Sequence, residues 1–300
     1  MIVITVGKNY IDIDGYASCL AYRELLKIQG IDAKFVSNSV LNYGITKSLL
    51  DLPFHIDDYR INPKDKFIIL DLSDKLFFPD FILEDNIIEL IDHHPGFESY
   101  WKDKLGNDAI IEQIGAVATI IVEKYEKYNM LHKMDKSIAK LLMAAILDNT
   151  LNFTAKITKE RDKIAYKKLE QITQEYNFAR LYFNECQSFI ETNLTTSIVN
   201  DLKIQKVNEY LPEVLGQLTI WNINKLLEQM NTIRETMSDY GAKWLINIIS
   251  LEENKSYIMY SNNAIADKIN KLFDCTCKNE MLIINPAILR KEIIRRALEK

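Results

Sequence analysis

The chain has 300 residues and a mass of 34.9 kDa, a length that predicts two domains. Apolar residues make up 48% of it, which is enough for a buried core without disulfide bonds. It carries 37 Lys and Arg residues against 42 Asp and Glu residues, so the net charge of −5 argues against broad electrostatic binding to nucleic acid or to an anionic membrane.

Signals for export, membrane insertion and cysteine chemistry are also lacking in the sequence. The longest apolar runs fall far short of the ~20 residues of a membrane span, and the N-terminus has no basic region before its apolar stretch. The four cysteines fit neither a disulfide pair nor a zinc-finger pattern. We therefore expect a cytoplasmic protein with no membrane and no nucleic acid among its partners.

Strand and helix patterns alternate over the first part of the chain. Short apolar runs predict strands at residues 2–6, 33–36, 67–70, 87–91 and 109–112. Apolar residues at helical spacing predict helices at residues 15–28, 45–50, 116–128, 136–147, 159–172 and 178–192. Because this alternation is typical of parallel sheets covered by helices, the sequence predicts a doubly wound, mainly parallel α/β domain.

The pattern changes near residue 190. Strands are predicted at residues 202–207, 216–221, 244–251, 255–260 and 281–284, and helices at 224–238 and 265–273. The strands at 244–251 and 255–260 are separated by a short turn and should be antiparallel. This composition predicts a smaller α+β domain. With the boundary at residues 188–196, the two domains are 1–188 and 196–300.

Acidic side chains and two histidines stand directly after three of the predicted parallel strands. They are Asp12 and Asp14 after the first strand, Asp71 after the third, and Asp92, His93 and His94 after the fourth. Ligands bind at the carboxyl ends of the strands in an open parallel sheet, so these side chains should meet at one edge. A divalent cation would offset the repulsion between the carboxylates, and mixed oxygen and imidazole ligands favour Mn²⁺, Fe²⁺, Co²⁺ or Zn²⁺ over Ca²⁺.

Each of these residues also has an ordinary structural interpretation. Asp14 could cap the N-terminus of the following helix, Asp71 could belong to a turn, and the Asp-His-His triplet before Pro95 could be a surface turn. The three features occur in chain order and on the expected elements, and this coincidence favours a shared site.

The motifs resemble those of the DHH phosphoesterase superfamily, which is named for the triplet that stands here at residues 92–94. Within it, the chain is similar to the branch of manganese-dependent (family II) inorganic pyrophosphatases and exopolyphosphatases. The matching segments are residues 7–14, Asp71, the triplet, 114–121, 145–153, 201–203 and 289–294. The Gly-Gly-Gly-His motif of the nanoRNase and cyclic-dinucleotide branch is absent, which disfavours a phosphodiesterase acting on nucleotides.

The resemblance implies hydrolysis of phosphoanhydride bonds in pyrophosphate or short polyphosphate, in a cleft between the two domains. It implies one or two Mn²⁺ ions, with Mg²⁺ or Co²⁺ as substitutes, and a metal-activated hydroxide as nucleophile. One ion would bind position 8, Asp12 and Asp71, and a second would bind Asp14, Asp71, His93 and position 149.

The resemblance also assigns roles in catalysis and substrate binding. Asp71 would bridge the ions, His94 would contact the substrate phosphate, and Asp92 would orient the neighbouring imidazoles. The second domain would neutralise the leaving phosphate with Lys203, Arg290 and Lys291. A homodimer, paired through an edge strand of the N-terminal domain, is expected on the same ground.

Two expected ligand positions depart from the family pattern. Lys8 replaces a histidine, and Asn149 replaces an aspartate, with Asp148 one residue earlier. A protonated lysine cannot ligate a metal ion. Three outcomes are open: Lys8 points away from a weakened two-metal site, Lys8 takes the place of the first ion, or the protein binds phosphate compounds or nucleotides without efficient hydrolysis. Asp148 cannot replace position 149 in a regular helix, because one residue rotates a helix by about 100°. A local shift in the register of the helix would allow it.

Overall fold

The computed structural model describes all residues, 1–300, and divides into two compact units. The N-terminal unit contains residues 1–153 and 157–179, and the C-terminal unit contains residues 154–156 and 180–300. The domain limits 1–188 and 196–300 stay a prediction. None of the helices combines the length and the hydropathy that a membrane span requires.

The N-terminal unit alternates strands and helices. Its elements are β1 (Ile2–Thr5), β2 (Tyr10–Ile11), α1 (Ile13–Ile28), β3 (Ala33–Phe35), β4 (Val40–Leu41), α2 (Lys47–Leu50), β5 (Lys66–Leu70), β6 (Ile87–Asp92), α3 (Glu98–Leu105), β7 (Ala109–Ile111), α4 (Val117–Lys127), α5 (Lys136–Asn149) and α6 (Glu160–Thr173). Five of the strands form one sheet in the order β3-β1-β5-β6-β7, and every pair in it is parallel.

Both faces of this sheet are buried. Val3 and Phe67 are in register and pack in one apolar cluster with Trp101 of α3. Ile4 and Ile68 are the next residues along the two strands, so they point to the opposite face, and they are equally buried. The prediction of a doubly wound parallel sheet is therefore confirmed.

The order of the strands reverses between β1 and β5. The chain passes from β1 to β3 on one side and then returns to β5 on the other side of β1. Loops that leave two such strands in opposite directions open a crevice at their carboxyl ends, where open α/β sheets bind ligands. The segments that carry Asp12, Asp14 and Asp71 begin at this crevice.

The C-terminal unit has a mixed sheet. Its elements are α7 (Phe178–Thr192), α8 (Leu194–Val199), β8 (Lys203–Ile204), β9 (Val214–Ile220), α9 (Asn224–Leu227), α10 (Met230–Ser238), β10 (Trp244–Ser250), β11 (Lys255–Tyr260), α11 (Asn263–Leu272), β12 (Thr276–Lys278), β13 (Met281–Ile284) and α12 (Arg290–Leu298). The strand order is β12-β13-β11-β10-β9-β8. Only β9 and β10 pair in parallel, and α11 and α12 pack into one apolar cluster with the sheet. The smaller α+β domain is confirmed.

Some predicted elements differ from the observed ones. The helix predicted at residues 224–238 is split into α9 and α10, because Gln229 donates its N–H to Leu226 three residues back and ends the first helix. The strand predicted at 202–207 is only the two-residue β8. Helix α3 has no apolar periodicity, since Trp101 is its one buried residue, and the sequence did not predict it.

Gly115 precedes α4 and has no room for a side chain. A methyl carbon at this position would lie 2.6 Å from both Asp162 Oδ2 and Thr150 Cγ2. We expect Gly115→Ala to lower the free energy of unfolding by about 1–3 kcal/mol, because overpacking forces neighbouring atoms to shift. Urea denaturation checks this, with Gly7→Ala as the matched control, since its added carbon would meet its nearest atoms at 3.7 Å. Equal stabilities of the two variants would contradict the prediction.

Candidate metal centre

Three of the predicted site residues converge at the carboxyl ends of β5 and β6. Asp71, His93 and His94 each offer a ligand atom, and these atoms all lie within 4.8 Å of one another. His93 Nε2 lies 3.3 Å from Asp71 Oδ1 and 3.9 Å from Asp14 Oδ2. The structure therefore brings together side chains that follow three different strands.

Asp71 leaves the end of β5 with an uncommon backbone conformation. Its φ is 58°, in the left-handed region, which an aspartate tolerates better than most residues. Its N–H donates a hydrogen bond to the carbonyl of Ile91 in β6, at 2.8 Å. This bond extends the pairing of β5 and β6 by one residue. Asp71 and the Asp-His-His triplet therefore lie side by side at the ends of the two strands.

Asp92 is fully buried and organises the triplet. Its Oδ1 accepts from the N–H of His93 at 2.7 Å, from the N–H of His94 at 3.2 Å and from His94 Nδ1 at 2.8 Å. Burial alone would raise the pKa of Asp92, but the His94 ring and the surrounding donors outweigh it and lower the pKa below its usual value. An ionised carboxylate only accepts hydrogen bonds, so His94 Nδ1 is the donor in this contact.

Asp12 and Asp14 lie at the start of α1 but contact different groups. Asp12 is the N-cap residue, and its Oδ1 accepts from the N–H of Gly15 at 3.0 Å. Asp14 is fully buried inside the first turn, where the hydroxyl of Ser18 donates to it at 3.3 Å. The interpretation of Asp14 as the helix cap was therefore wrong, because Asp12 holds that position.

The carboxylate of Asp14 is bound by the N-terminus of another helix. Its Oδ2 accepts from the N–H of Val117 at 2.8 Å, and its Oδ1 accepts from the N–H of Ala118 at 2.9 Å. These are the first amides of α4, which have no partner within their own helix, and the helix dipole also favours a negative charge there. The buried charge of Asp14 is therefore compensated by α4.

The two positions that depart from the family pattern have distinct surroundings. Lys8 Nζ pairs with the exposed Asp80 at 3.1 Å, which matches the outcome in which Lys8 points away. Asp148 and Asn149 are the last two residues of α5 and are both half-buried. Because both are helical, their side chains leave the helix about 100° apart, as predicted for a regular helix.

The predicted phosphate-binding residues of the C-terminal unit lie on β8 and α12. Lys203 and Lys291 are half-buried, whereas Arg290 is nearly buried and its Nη1 lies 3.2 Å from Asp201 Oδ2. The turn before α12 is fastened to the sheet, because Asn247 Nδ2 donates to the Ile288 carbonyl at 2.7 Å. Arg290 therefore begins a helix whose position is fixed, and much of its charge is compensated.

Sequence reasoning missed Asp162, a buried carboxylate that contacts the segment before α4. Asp162 in the first turn of α6 is fully buried and accepts from the N–H of Lys159 at 2.7 Å. An acidic residue three positions after the N-cap is half of the capping-box pattern and could have marked this helix start. Its contacts with Gly115 and Thr119 join residues distant in the chain and left no local signal.

The donor set fits a divalent cation. The Asp71 and Asp14 carboxylates beside the His93 imidazole supply the mixed oxygen and nitrogen ligands that Mn²⁺ accepts. A cation would also compensate the carboxylates that the fold gathers there.

Comparison with known proteins identifies the class of this domain. Residues 2–146 match the family model described as DHH family, N-terminal domain. The N-terminal domain of the chain therefore belongs to the DHH family, and the recognition made from the motifs is confirmed.

Relatives of nearly full length refine this placement. A probable manganese-dependent inorganic pyrophosphatase of Bacillus licheniformis is 29% identical over 305 residues, covering 97% of this chain and 96% of its own. The manganese-dependent inorganic pyrophosphatase of Bacillus subtilis is 24% identical over 308 residues, covering 97% and 95%. The crystal structure of a putative family II inorganic pyrophosphatase from Methanococcus jannaschii matches with a TM-score of 0.75 and 19% identity, covering 100% of this chain and 98% of the other. This last likeness shows a shared fold.

We expect Asp92→Asn to reduce stability at neutral pH by about 1–3 kcal/mol, because the amide is a weaker acceptor than the carboxylate for its three donors. The lowered pKa of Asp92 means that its charge stabilises the fold fully above the unfolded value near 3.8 and stops doing so as the pH falls through the folded value. The difference in the free energy of unfolding between wild type and variant should therefore decrease as the pH falls below 3.8. Urea denaturation from pH 7 to pH 3 in the presence of a chelator measures it, and a difference that is constant over this range would contradict the assignment.

Proposed function

We propose that the protein hydrolyses phosphoanhydride bonds of pyrophosphate or short polyphosphate in a reaction that depends on Mn²⁺. The observation that carries the proposal is the cluster of Asp71, His93 and His94 ligand atoms within 4.8 Å. Its position at the carboxyl edge of a DHH family domain supports it, as do relatives of nearly full length that are named manganese-dependent inorganic pyrophosphatases.

Residues at the carboxyl edge of the parallel sheet would hold the metal. Asp71 would bind with His93, Asp14 and Asn149 at one position and with Asp12 at a second, and Mg²⁺ or Co²⁺ would substitute for Mn²⁺. When bound, a divalent cation acidifies water and neutralises the charge of phosphoryl oxygens. With Lys8 turned to Asp80, the second position has fewer ligands than in the family pattern.

His94 is suited to bind the substrate phosphate. Its side chain is 38% exposed, whereas that of His93 is 1% exposed. Asp92 accepts from its Nδ1, so the ring is fixed in orientation and presents Nε2 on its other side. When Nε2 carries a proton, this atom donates to a phosphate oxygen.

Residues of the C-terminal unit would contribute positive charge to phosphate binding. Lys203, Arg290 and Lys291 are the candidates that the family resemblance supplies. Asp201 already compensates much of the positive charge of the Arg290 guanidinium. Lys203 and Lys291 would add two further positive charges that attract phosphate.

Phosphate release from pyrophosphate and from tripolyphosphate tests the proposal. We expect turnover with Mn²⁺, slower or comparable turnover with Co²⁺ or Mg²⁺, and none without metal. Asp71→Asn should reduce turnover by about 100-fold or more, because the central carboxylate of the cluster is lost. The absence of turnover with every metal ion, or full activity of Asp71→Asn, would contradict the proposal.

A second candidate function is binding of phosphate compounds without efficient hydrolysis. Lys8 and Asn149 favour it, since together they make the site two charge units less negative than the family pattern: one unit from histidine to lysine and one from aspartate to asparagine. This candidate would be supported if the protein binds pyrophosphate or tripolyphosphate but does not hydrolyse it in the assay above.

The double variant Lys8→His/Asn149→Asp separates the two functions. We expect it to bind Mn²⁺ about 10-fold or more tightly than wild type, because it gains an imidazole ligand, replaces an amide ligand by a carboxylate, and becomes two units more negative. Isothermal titration measures the affinity. Lys66→His/Asn86→Asp is a matched control, because this hydrogen-bonded pair lies at the start of β5 and β6 and makes the same exchange far from the cluster. An affinity that rises equally in both variants, or in neither, would contradict the role given to Lys8 and Asn149.

The cytoplasmic location, the absence of a nucleic acid partner and the homodimer stay predictions. In the N-terminal unit the edge strands of the main sheet are β3 and β7.

A further inference from the structure

Asp162 is a buried carboxylate that joins three segments of the N-terminal unit. Its Oδ2 accepts from the N–H of Lys159 at 2.7 Å and from the N–H of Gly115 at 3.1 Å, and its Oδ1 accepts from the Thr119 hydroxyl at 2.6 Å. The side chain is fully buried. Asp162 therefore ties the start of α6 to both sides of the first turn of α4.

The segment that Asp162 holds is the one that holds Asp14. Gly115 and Thr119 flank Val117 and Ala118, whose amides donate to the Asp14 carboxylate. A displacement of the first turn of α4 would therefore move both donors of Asp14. Because His93 Nε2 lies 3.9 Å from Asp14 Oδ2, a displacement of Asp14 would change its position relative to His93 of the cluster.

The same contact reaches the end of α5. A methyl carbon on Gly115 would lie 2.6 Å from Thr150 Cγ2, so the backbone at Gly115 packs directly against Thr150. Thr150 is the C-cap of α5 and follows Asn149, and its hydroxyl donates to the Ile146 carbonyl at 2.5 Å. The position of Gly115 therefore bears on Asn149 as well as on Asp14.

We infer that Asp162 is a positioning residue of the metal centre, which sets Asp14 through the first turn of α4 and Asn149 through Gly115 and Thr150. The inference rests on the proposed function, since it assigns Asp162 an effect on Mn²⁺ binding. Asp162 would touch neither metal nor substrate. Groups that hold metal ligands in place typically account for about 10- to 100-fold in metal affinity.

An ordinary structural carboxylate would stabilise the fold without affecting the metal centre, and Asp65 provides that comparison. Asp65 is also buried and also has three donors: the N–H of Asn62 at 2.7 Å, the Tyr59 hydroxyl at 3.2 Å and the N-terminal ammonium at 3.3 Å. It precedes β5, at the opposite end of the strand from Asp71. Loss of its carboxylate removes similar contacts far from the cluster.

The test compares Mn²⁺ affinity among Asp162→Ala, Asp162→Asn and Asp65→Ala, measured by isothermal titration on the folded proteins. We expect Asp162→Ala to weaken Mn²⁺ binding by about 10-fold or more. Asp162→Asn should recover most of this loss, because the amide oxygen can accept from Gly115 and Lys159 while its NH₂ group donates to the Thr119 hydroxyl. Asp65→Ala should lose stability and keep the wild-type affinity.

Hydrogen exchange supplies a readout that does not require the metal. In the metal-free protein, the amides of Val117 and Ala118 should exchange about 10-fold or more faster in Asp162→Ala than in Asp65→Ala. If Asp162→Ala does not fold, Thr119→Val replaces it, since this variant removes one donor to Asp162 and keeps the shape of the side chain. It should weaken Mn²⁺ binding by about 3-fold or more.

The outcomes distinguish this inference from the proposed function. If wild type binds Mn²⁺ and Asp162→Ala, or Thr119→Val in its place, binds it equally well, the inference is overturned and the proposed function stands. If Asp65→Ala weakens binding as much as Asp162→Ala, the effect is general destabilisation and the inference is overturned. If wild type binds no Mn²⁺, the proposed function and this inference both fail.

Discussion

Repulsion among carboxylates is the constraint on which the N-terminal unit depends. The strand order brings four of them to the carboxyl edge of one sheet: Asp12, Asp14, Asp71 and Asp92. Asp12, Asp14 and Asp92 accept hydrogen bonds from backbone N–H groups, whose fixed dipoles stabilise a negative charge. The amides come from the start of α1, from the end of β6 and from the start of α4. Three elements around the site therefore compensate the negative charge of its carboxylates.

Asp71 lies beside both imidazoles of the triplet. His93 Nε2 lies 3.3 Å from it, and His94 Nδ1 lies 3.9 Å from it. Carboxylates and imidazoles are both groups that ligate metal ions in proteins. Asp92 accepts a hydrogen bond from His94 Nδ1 and so orients that ring.

The sequence predicted the parts of the site that depend on strand ends. A short apolar run fixes where a buried strand ends, so Asp71 and the triplet could be placed at one edge before any coordinates were known. The partners of Asp14 could not be placed, because Val117 and Ala118 are more than 100 residues away and present backbone amides that carry no side-chain signal. Helix α3 was missed for a related reason: Trp101 is its one buried residue, and its Nε1 donates to the Ser73 carbonyl at 2.8 Å.

The C-terminal unit contains a nearly buried cation, Arg290, which is compensated by the carboxylate of Asp201. Arg290 and Asp201 have side chains only 10% and 7% exposed, so each is desolvated and depends on the other. Removing one partner of such a pair typically costs about 3–5 kcal/mol, because the other charge remains buried. Arg290 therefore cannot leave Asp201 without a large loss of stability. The hydrogen bond from Asn247 to the Ile288 carbonyl holds the turn that precedes Arg290 in place.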